Sequence, residues 1–314
     1  MRASGPQVGV AATRGVPLPT HRQAVALMVA ATLMWSIAGV VSRQLETARS
    51  FEVTFWRSTF NAVALVPLLL WLRGRAALVR RLASGGRALW LSGLCWGVMY
   101  TAFMVALTLT TVANVLITMA LGPLFTALAA RLALGHRLAP RTWAAIALAA
   151  AGIGWMYGRE IGGGDGTHVV GVAVALAVPL AGAVNWTLLQ HLRAGTRGDE
   201  AHDGDMLPAV LIGALLSALL VLPLAWPWQA SRGDLAWLAL LGVVQLAVPC
   251  ILAVMAARAL SAPEVSLLAL LEVLFGVLWA WLGAGEAPGD AVLAGGALVL
   301  GALTLNEAAA LRRF

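Results

Sequence analysis

Lysine is absent from this 314-residue chain, and charge of any kind is scarce. Only 11% of residues are charged, about half of what a soluble domain carries. The basic residues are all arginine, which with heavy Ala, Leu and Gly use looks like GC-rich coding rather than a function. The two cysteines, Cys95 and Cys250, each lie inside an apolar run. That pattern excludes a disulfide scaffold, and no metal-ligand spacing exists. There is no Walker motif, nucleophile elbow, HExxH or paired-carboxylate motif, so the chain reads as no enzyme, without cofactor or metal. Residues 1–21 lack an apolar core and read as a disordered cytoplasmic tail, not a cleaved signal peptide.

Apolar sequence is what the chain has in excess. It is 61% hydrophobic with a mean hydropathy of +0.86. Runs of about 20 apolar residues recur, the length that crosses roughly 30 Å of hydrocarbon. The fold class is therefore an all-α polytopic membrane protein. Ten spans are expected, at about 23–42, 51–72, 88–109, 112–133, 141–157, 168–190, 206–226, 235–257, 263–283 and 289–307. The Gly-rich stretch 161–167 divides them into units 22–160 and 168–308, with a short tail at 309–314. The charged stretch 193–205 reads as a mobile loop.

The net charge of +7 finds no basic face or motif that would suit nucleic acid. The arginines concentrate instead in alternate loops. Arg73, Arg75, Arg80, Arg81 and Arg87 share one side with Arg137, Arg193, Arg258 and Arg312, whereas the opposite loops carry only Arg43, Arg49, Arg159 and Arg232. The arginine-rich side is expected to be cytoplasmic, which puts both termini inside. Most of the 13 tryptophans lie near span ends, as an interfacial belt would; Trp35, Trp56, Trp96 and Trp186 sit deeper.

Residues 111–154 align without a gap on 261–304, at an offset of 150, with eleven identities among 44 positions. Leu124/Leu274, Phe125/Phe275, Leu132/Leu282 and Gly135/Gly285 are among them. A unit of five spans is odd, so its second copy enters the membrane from the opposite face. The expectation is two inverted five-helix repeats able to open alternately to each side, which favours a transporter over an enzyme.

The segments GPLFTALAARLALGHRL and LEVLFGVLWAWLGAGEAP resemble the EamA repeats of the drug/metabolite transporter superfamily over nearly the whole chain. The pattern there is Pro–hydrophobic–Phe followed by Leu-Gly-Glu. This chain departs from it at Glu272-Val273, where Glu-Pro is usual, and at Gly135-His136, where Gly-Glu is usual. Helix nine thus lacks a proline to kink it, while Pro123 is kept in helix four. The resemblance implies export of amino acids or related small metabolites across a bacterial inner membrane. The deep aromatic residues are similar to those of YddG-like aromatic amino-acid exporters. Rival readings are a transporter of drugs, nucleotide sugars or sugar phosphates, or a membrane enzyme or lipid-handling protein. Deep basic residues number only one, Arg57, which is too few for a phosphorylated substrate.

A transport site needs polar groups near the midplane. Gly122-Pro123 weakens helix four there, freeing carbonyls for substrate or merely kinking the helix. Glu272 lies about 12 Å into helix nine. A carboxylate so deep must face the bundle interior, where it binds a substrate ammonium, takes a coupling proton or bonds another helix. Arg57 lies about 9 Å from the outer end of helix two, so it either snorkels, locks a helix or meets a substrate carboxylate. Asn61 shares its face. Trp96, Tyr100 and Phe103 form one aromatic face of helix three, suited to an apolar side chain or to packing. Asn185, Trp186, Gln245 and Trp35 are further candidates, with Ser36, Thr118 and Ser266 as small polar groups. The partners expected are a small-molecule substrate and the lipid bilayer, with proton coupling through Glu272 as an option. Oligomeric state is left open; a monomer is compatible.

Overall fold

Helix one starts where Thr20 caps it. The Thr20 hydroxyl accepts the Gln23 N–H at 3.3 Å, and the Gln23 side chain accepts the Thr20 N–H at 2.8 Å. The computed structural model describes residues 18–48, 50–110, 112–135, 139–157, 166–195, 205–284 and 289–311. His21, assigned above to the tail, opens this helix. Most of the tail, of the Gly-rich divider and of the charged loop lies outside the described residues, as does His136.

Fifteen α-helices follow one another among the described residues. They are α1 (His21–Trp35), α2 (Ala38–Ser42), α3 (Ser50–Arg73), α4 (Arg75–Ser84), α5 (Gly86–Leu109), α6 (Val112–Met119), α7 (Gly122–Leu134) and α8 (Pro140–Tyr157). Then come α9 (Gly166–Gly195), α10 (Leu207–Ala225), α11 (Arg232–Leu240), α12 (Val248–Ala256), α13 (Ala262–Ala269), α14 (Leu271–Ala284) and α15 (Asp290–Leu311). A π-helical stretch, Leu241–Ala247, joins α11 to α12. Seven helical segments are long and apolar enough to cross a membrane: His21–Ser42, Phe51–Arg73, Gly86–Leu109, Val169–Ala194, Leu207–Ala225, Arg232–Ala256 and Ala262–Trp279. Gly122–Leu134 and Asp290–Thr304 are shorter apolar helices.

The packing is symmetric under exchange of halves. In the first half α1 packs on α12 and α13; in the second, α9 packs on α5 and α7. Helix α3 packs on the π-helical stretch as α10 packs on α5, while α3·α10, α7·α13 and α8·α15 pair across the halves. Helices four and nine break at matching places. The break between α6 and α7 falls at Ala120–Leu121 and that between α13 and α14 at Leu270, close to the offset of 150. A kink in helix nine therefore exists without the missing proline. At Leu270 the backbone turns tighter, its N–H bonding the Leu267 carbonyl at 3.1 Å, so Pro123 is not required to break such a helix.

Two glycines bring the cavity-bearing helices together. A Cβ on Gly213 of α10 would stand 2.3 Å from Trp96 Cβ and 2.9 Å from the Gly97 nitrogen. A Cβ on Gly242 would stand 2.7 Å from the Arg57 carbonyl and 2.9 Å from the Asn61 nitrogen. Neither contact leaves room for any side chain, so these glycines set how closely α3 and α5 approach their neighbours.

One end of the bundle is tied by two buried carboxylates acting reciprocally. Asp234, at the start of α11, accepts the N–H groups of Glu46, Thr47 and Ala48 and the Thr47 hydroxyl. Glu52, at the start of α3, accepts the N–H groups of Gln229 and Ala230 and the Trp56 indole N–H. Each carboxylate thus holds the loop leading into the other's helix. Trp56 stacks beside it in a cluster with Phe55, Phe60 and Trp228, so this deep tryptophan belongs to the bundle end.

Candidate functional site

The site begins with a buried cation. Arg57 sits on α3 where Gly242 allows the closest approach, and it is 2% exposed. It does not snorkel: one guanidinium nitrogen donates to the Tyr100 carbonyl at 3.2 Å, and its Nε has no partner among the described residues. Asn61, one turn on, is fully buried with its amide against the Tyr100 phenol, too poorly aligned to make a regular hydrogen bond among the described residues. A buried polar atom without a partner costs about 1–3 kcal/mol, so several together point to a place built for something else to bind.

Arg57 lines one cavity of about 150 Å³, whose wall does not include Asn61. Its wall includes Trp35 from α1, Arg57 from α3, Trp96, Met99, Tyr100 and Phe103 from α5, and Gly122 from α7. Pro179, Gly182 and Trp186 come from α9, Gln245 from the π-helical stretch and Cys250 from α12. Ser266 and Glu272, from α13 and α14, close it. A cavity of this size holds a benzene-sized group. Both halves contribute, and the broken fourth and ninth helices meet at it.

Nine of the thirteen residues expected from sequence reach this wall. The other four do not. Pro123 starts α7 behind Gly122. Asn185 is not part of the wall; it accepts the Ser92 hydroxyl at 2.6 Å, and its amide nitrogen has no partner among the described residues. Ser36 accepts the Trp279 indole N–H at 3.0 Å and donates to the Leu33 carbonyl at 2.7 Å, locking α1 to α14. Thr118 spends its hydroxyl on the Asn114 carbonyl at 2.7 Å.

The polar groups sort by charge preference. Arg57 Nε and Trp96 Nε1 are unpartnered donors, and both belong to the first half. Gln245 Oε1 is an unpartnered acceptor, while its Nε2 donates to the Trp35 carbonyl at 3.2 Å. Glu272 accepts no hydrogen bond and forms no ion pair among the described residues, although it lines the same cavity as Arg57. Among these wall residues the unpartnered donors thus lie in the first half and the unpartnered acceptors in the second. Between them runs an aromatic wall: Trp96 meets Trp186 edge-on at 5.5 Å and Tyr100 at 5.6 Å. The Tyr100 hydroxyl donates to the Cys250 thiol at 3.2 Å, joining two positions 150 apart.

Sequence reasoning missed Cys250, Met99, Met119 and the Pro179–Gly182 face of α9. It also missed a symmetry. Trp35-Ser36 and Trp186-Thr187 align at an offset of 151, and both tryptophans face the cavity. A search allowing one residue of slip would have found them.

The EamA-like transporter family model matches residues 22–158 and again 169–307. One crystal structure superposes with a TM-score of 0.74 at 19% identity, over 93% of this chain and 98% of its own; that likeness concerns the fold. No curated protein matches.

Proposed function

The chain belongs to the EamA-like transporter family, and from that premise we propose that it exports amino acids, or related small zwitterions with an apolar side chain. The observation that carries this reading is the division of charge in the cavity. Arg57 and Trp96 offer donors suited to a carboxylate, and Glu272 and Gln245 offer acceptors suited to an ammonium. The two charges share a cavity without pairing, so a zwitterion would satisfy both at once. Trp96, Tyr100 and Trp186 would clasp its side chain. A space of about 150 Å³ disfavours nucleotide sugars, and a single arginine disfavours sugar phosphates.

The mechanism in this reading is alternating access. Ten spans form two inverted halves with both termini in the cytoplasm of a bacterial inner membrane. Rocking at the broken helices, near Leu121 and Leu270, would expose the cavity to each side in turn. Glu272 is the group that would carry a proton if transport is coupled to one.

Counterflow in proteoliposomes with a panel of amino acids, amines, carboxylates and nucleotides tests the substrate class. Zwitterions are expected to exchange, and singly charged analogues to lose at least tenfold in affinity. Exchange of amines or nucleotides in preference to zwitterions overturns the proposal. An imposed pH gradient tests coupling, which Glu272→Gln should abolish.

A further inference from the structure

Between two apolar spans the chain makes a helix that the sequence reading treated as a loop. Phe51–Arg73 and Gly86–Leu109 are both long and apolar enough to cross a membrane, and α4 (Arg75–Ser84) connects them. It therefore lies at a membrane surface. Glycines turn the chain at both ends, Gly74 with φ +73° and Gly86 with φ +63°, conformations open to glycine alone at little cost. The helix is fixed on the bundle. Leu78 is buried in the main core, and Leu82 packs against it. Arg81 donates to the Asp205 carbonyl at 3.2 Å, and Arg73 pairs with the Asp205 carboxylate.

The opposite face has no partner among the described residues. At about 100° per residue, Arg75, Val79, Ala83, Ala76 and Arg80 follow one another around it. All five are exposed, Val79 by 56%. The stripe is thus apolar in its centre with an arginine at each border. Arg87 is exposed just beyond Gly86. Among the described residues the side chains of Arg75, Arg80 and Arg87 make no hydrogen bond or ion pair, and Asp205 is spent on Arg73 and Arg81. Trp71 and Trp90 flank the elbow, 80% and 51% exposed, as residues at headgroup depth do.

We propose that α4 is an in-plane docking surface for anionic phospholipid, with Val79 and the alanines seated at the acyl boundary and Arg75, Arg80 and Arg87 on lipid phosphates. Charge complementarity selects this occupant. Three cations that have no partner among the described residues, bordering an apolar stripe, fit a negatively charged leaflet, whereas a soluble acidic partner would leave Val79, Trp71 and Trp90 in water. The inference does not depend on which solute is carried.

The test is native mass spectrometry of the full-length protein in mixed micelles, titrated with phosphatidylglycerol or phosphatidylcholine of equal chain length. The wild type should retain phosphatidylglycerol preferentially, and each Arg→Gln change at 75, 80 or 87 should weaken that retention about fivefold. Arg232→Gln, which lies outside the elbow, should leave it unchanged. Inorganic phosphate at millimolar concentration should not compete. Val79→Asp should remove the preference with all arginines in place. If the triple arginine variant keeps its preference, or if free phosphate displaces the lipid, the assignment is wrong. The three arginine side chains are exposed and make no hydrogen bond or ion pair among the described residues, so these variants should fold; an unchanged unfolding midpoint checks that.

Discussion

Removing the Asp234 carboxylate should open one end of the bundle. The side chain is 1% exposed and accepts five hydrogen bonds from neutral donors. They come from the N–H groups of Glu46, Thr47, Ala48 and Ser231 and from the Thr47 hydroxyl, the last at 2.5 Å. Bonds to a charged acceptor contribute about 1.5–3 kcal/mol each, but they are not additive here. Glu46 and Thr47 are exposed, so water recovers part of what is lost. Asp234→Ala is therefore expected to cost about 3–4 kcal/mol. Asp234→Asn should cost less, about 2 kcal/mol. Its amide oxygen can take the place of the oxygen that serves Thr47, Ala48 and Ser231, while its NH2 then faces the Glu46 N–H, donor against donor. Equilibrium unfolding in mixed detergent measures both. A double-mutant cycle with Thr47→Val should show a coupling of about 1 kcal/mol. Unfolding free energies within about 0.5 kcal/mol of wild type for Asp234→Ala would refute the reasoning.

Other expectations follow from the same geometry. Gly213→Ala should destabilise by about 3 kcal/mol, read by the same unfolding, because its Cβ meets backbone and cannot be relieved by a rotamer change. Gly122→Ala should be tolerated, since its Cβ comes no nearer than 3.3 Å to the Ser266 hydroxyl; a competition series should instead show a shift toward smaller substrates. Trp96→Phe removes an unpartnered buried N–H. Stability should hold or rise by up to about 1 kcal/mol while carboxylate-bearing substrates bind about fivefold more weakly, a split visible in paired unfolding and binding measurements. Arg57→Gln and Glu272→Gln should each weaken binding of a zwitterion about tenfold in isothermal titration, and each should spare an analogue that lacks the group it serves.

Composition and run length by themselves determined that this chain is helical and lives in lipid, because no other arrangement can satisfy so much apolar surface and so little charge. The ungapped offset of 150 was legible too, and with it the two units and the pairing of Gly122 with Glu272. Arg57 and Glu272 stood out because a charge inside an apolar run is costly unless something compensates it. What periodicity could not tell was direction around a helix whose neighbours were unknown. Arg57 looked equally able to reach the surface, and only the approach of α3 to Gly242 turned it toward the cavity. Ser36 and Thr118 looked like site residues, yet tertiary neighbours consumed their hydroxyls. Helix α4 hid behind its arginines, since a short helix draws its stability from the surface it docks on rather than from its own pattern. The break in helix nine without proline has the same origin. Local sequence sets what each residue can do, and the packing of distant segments decides which of those options is taken.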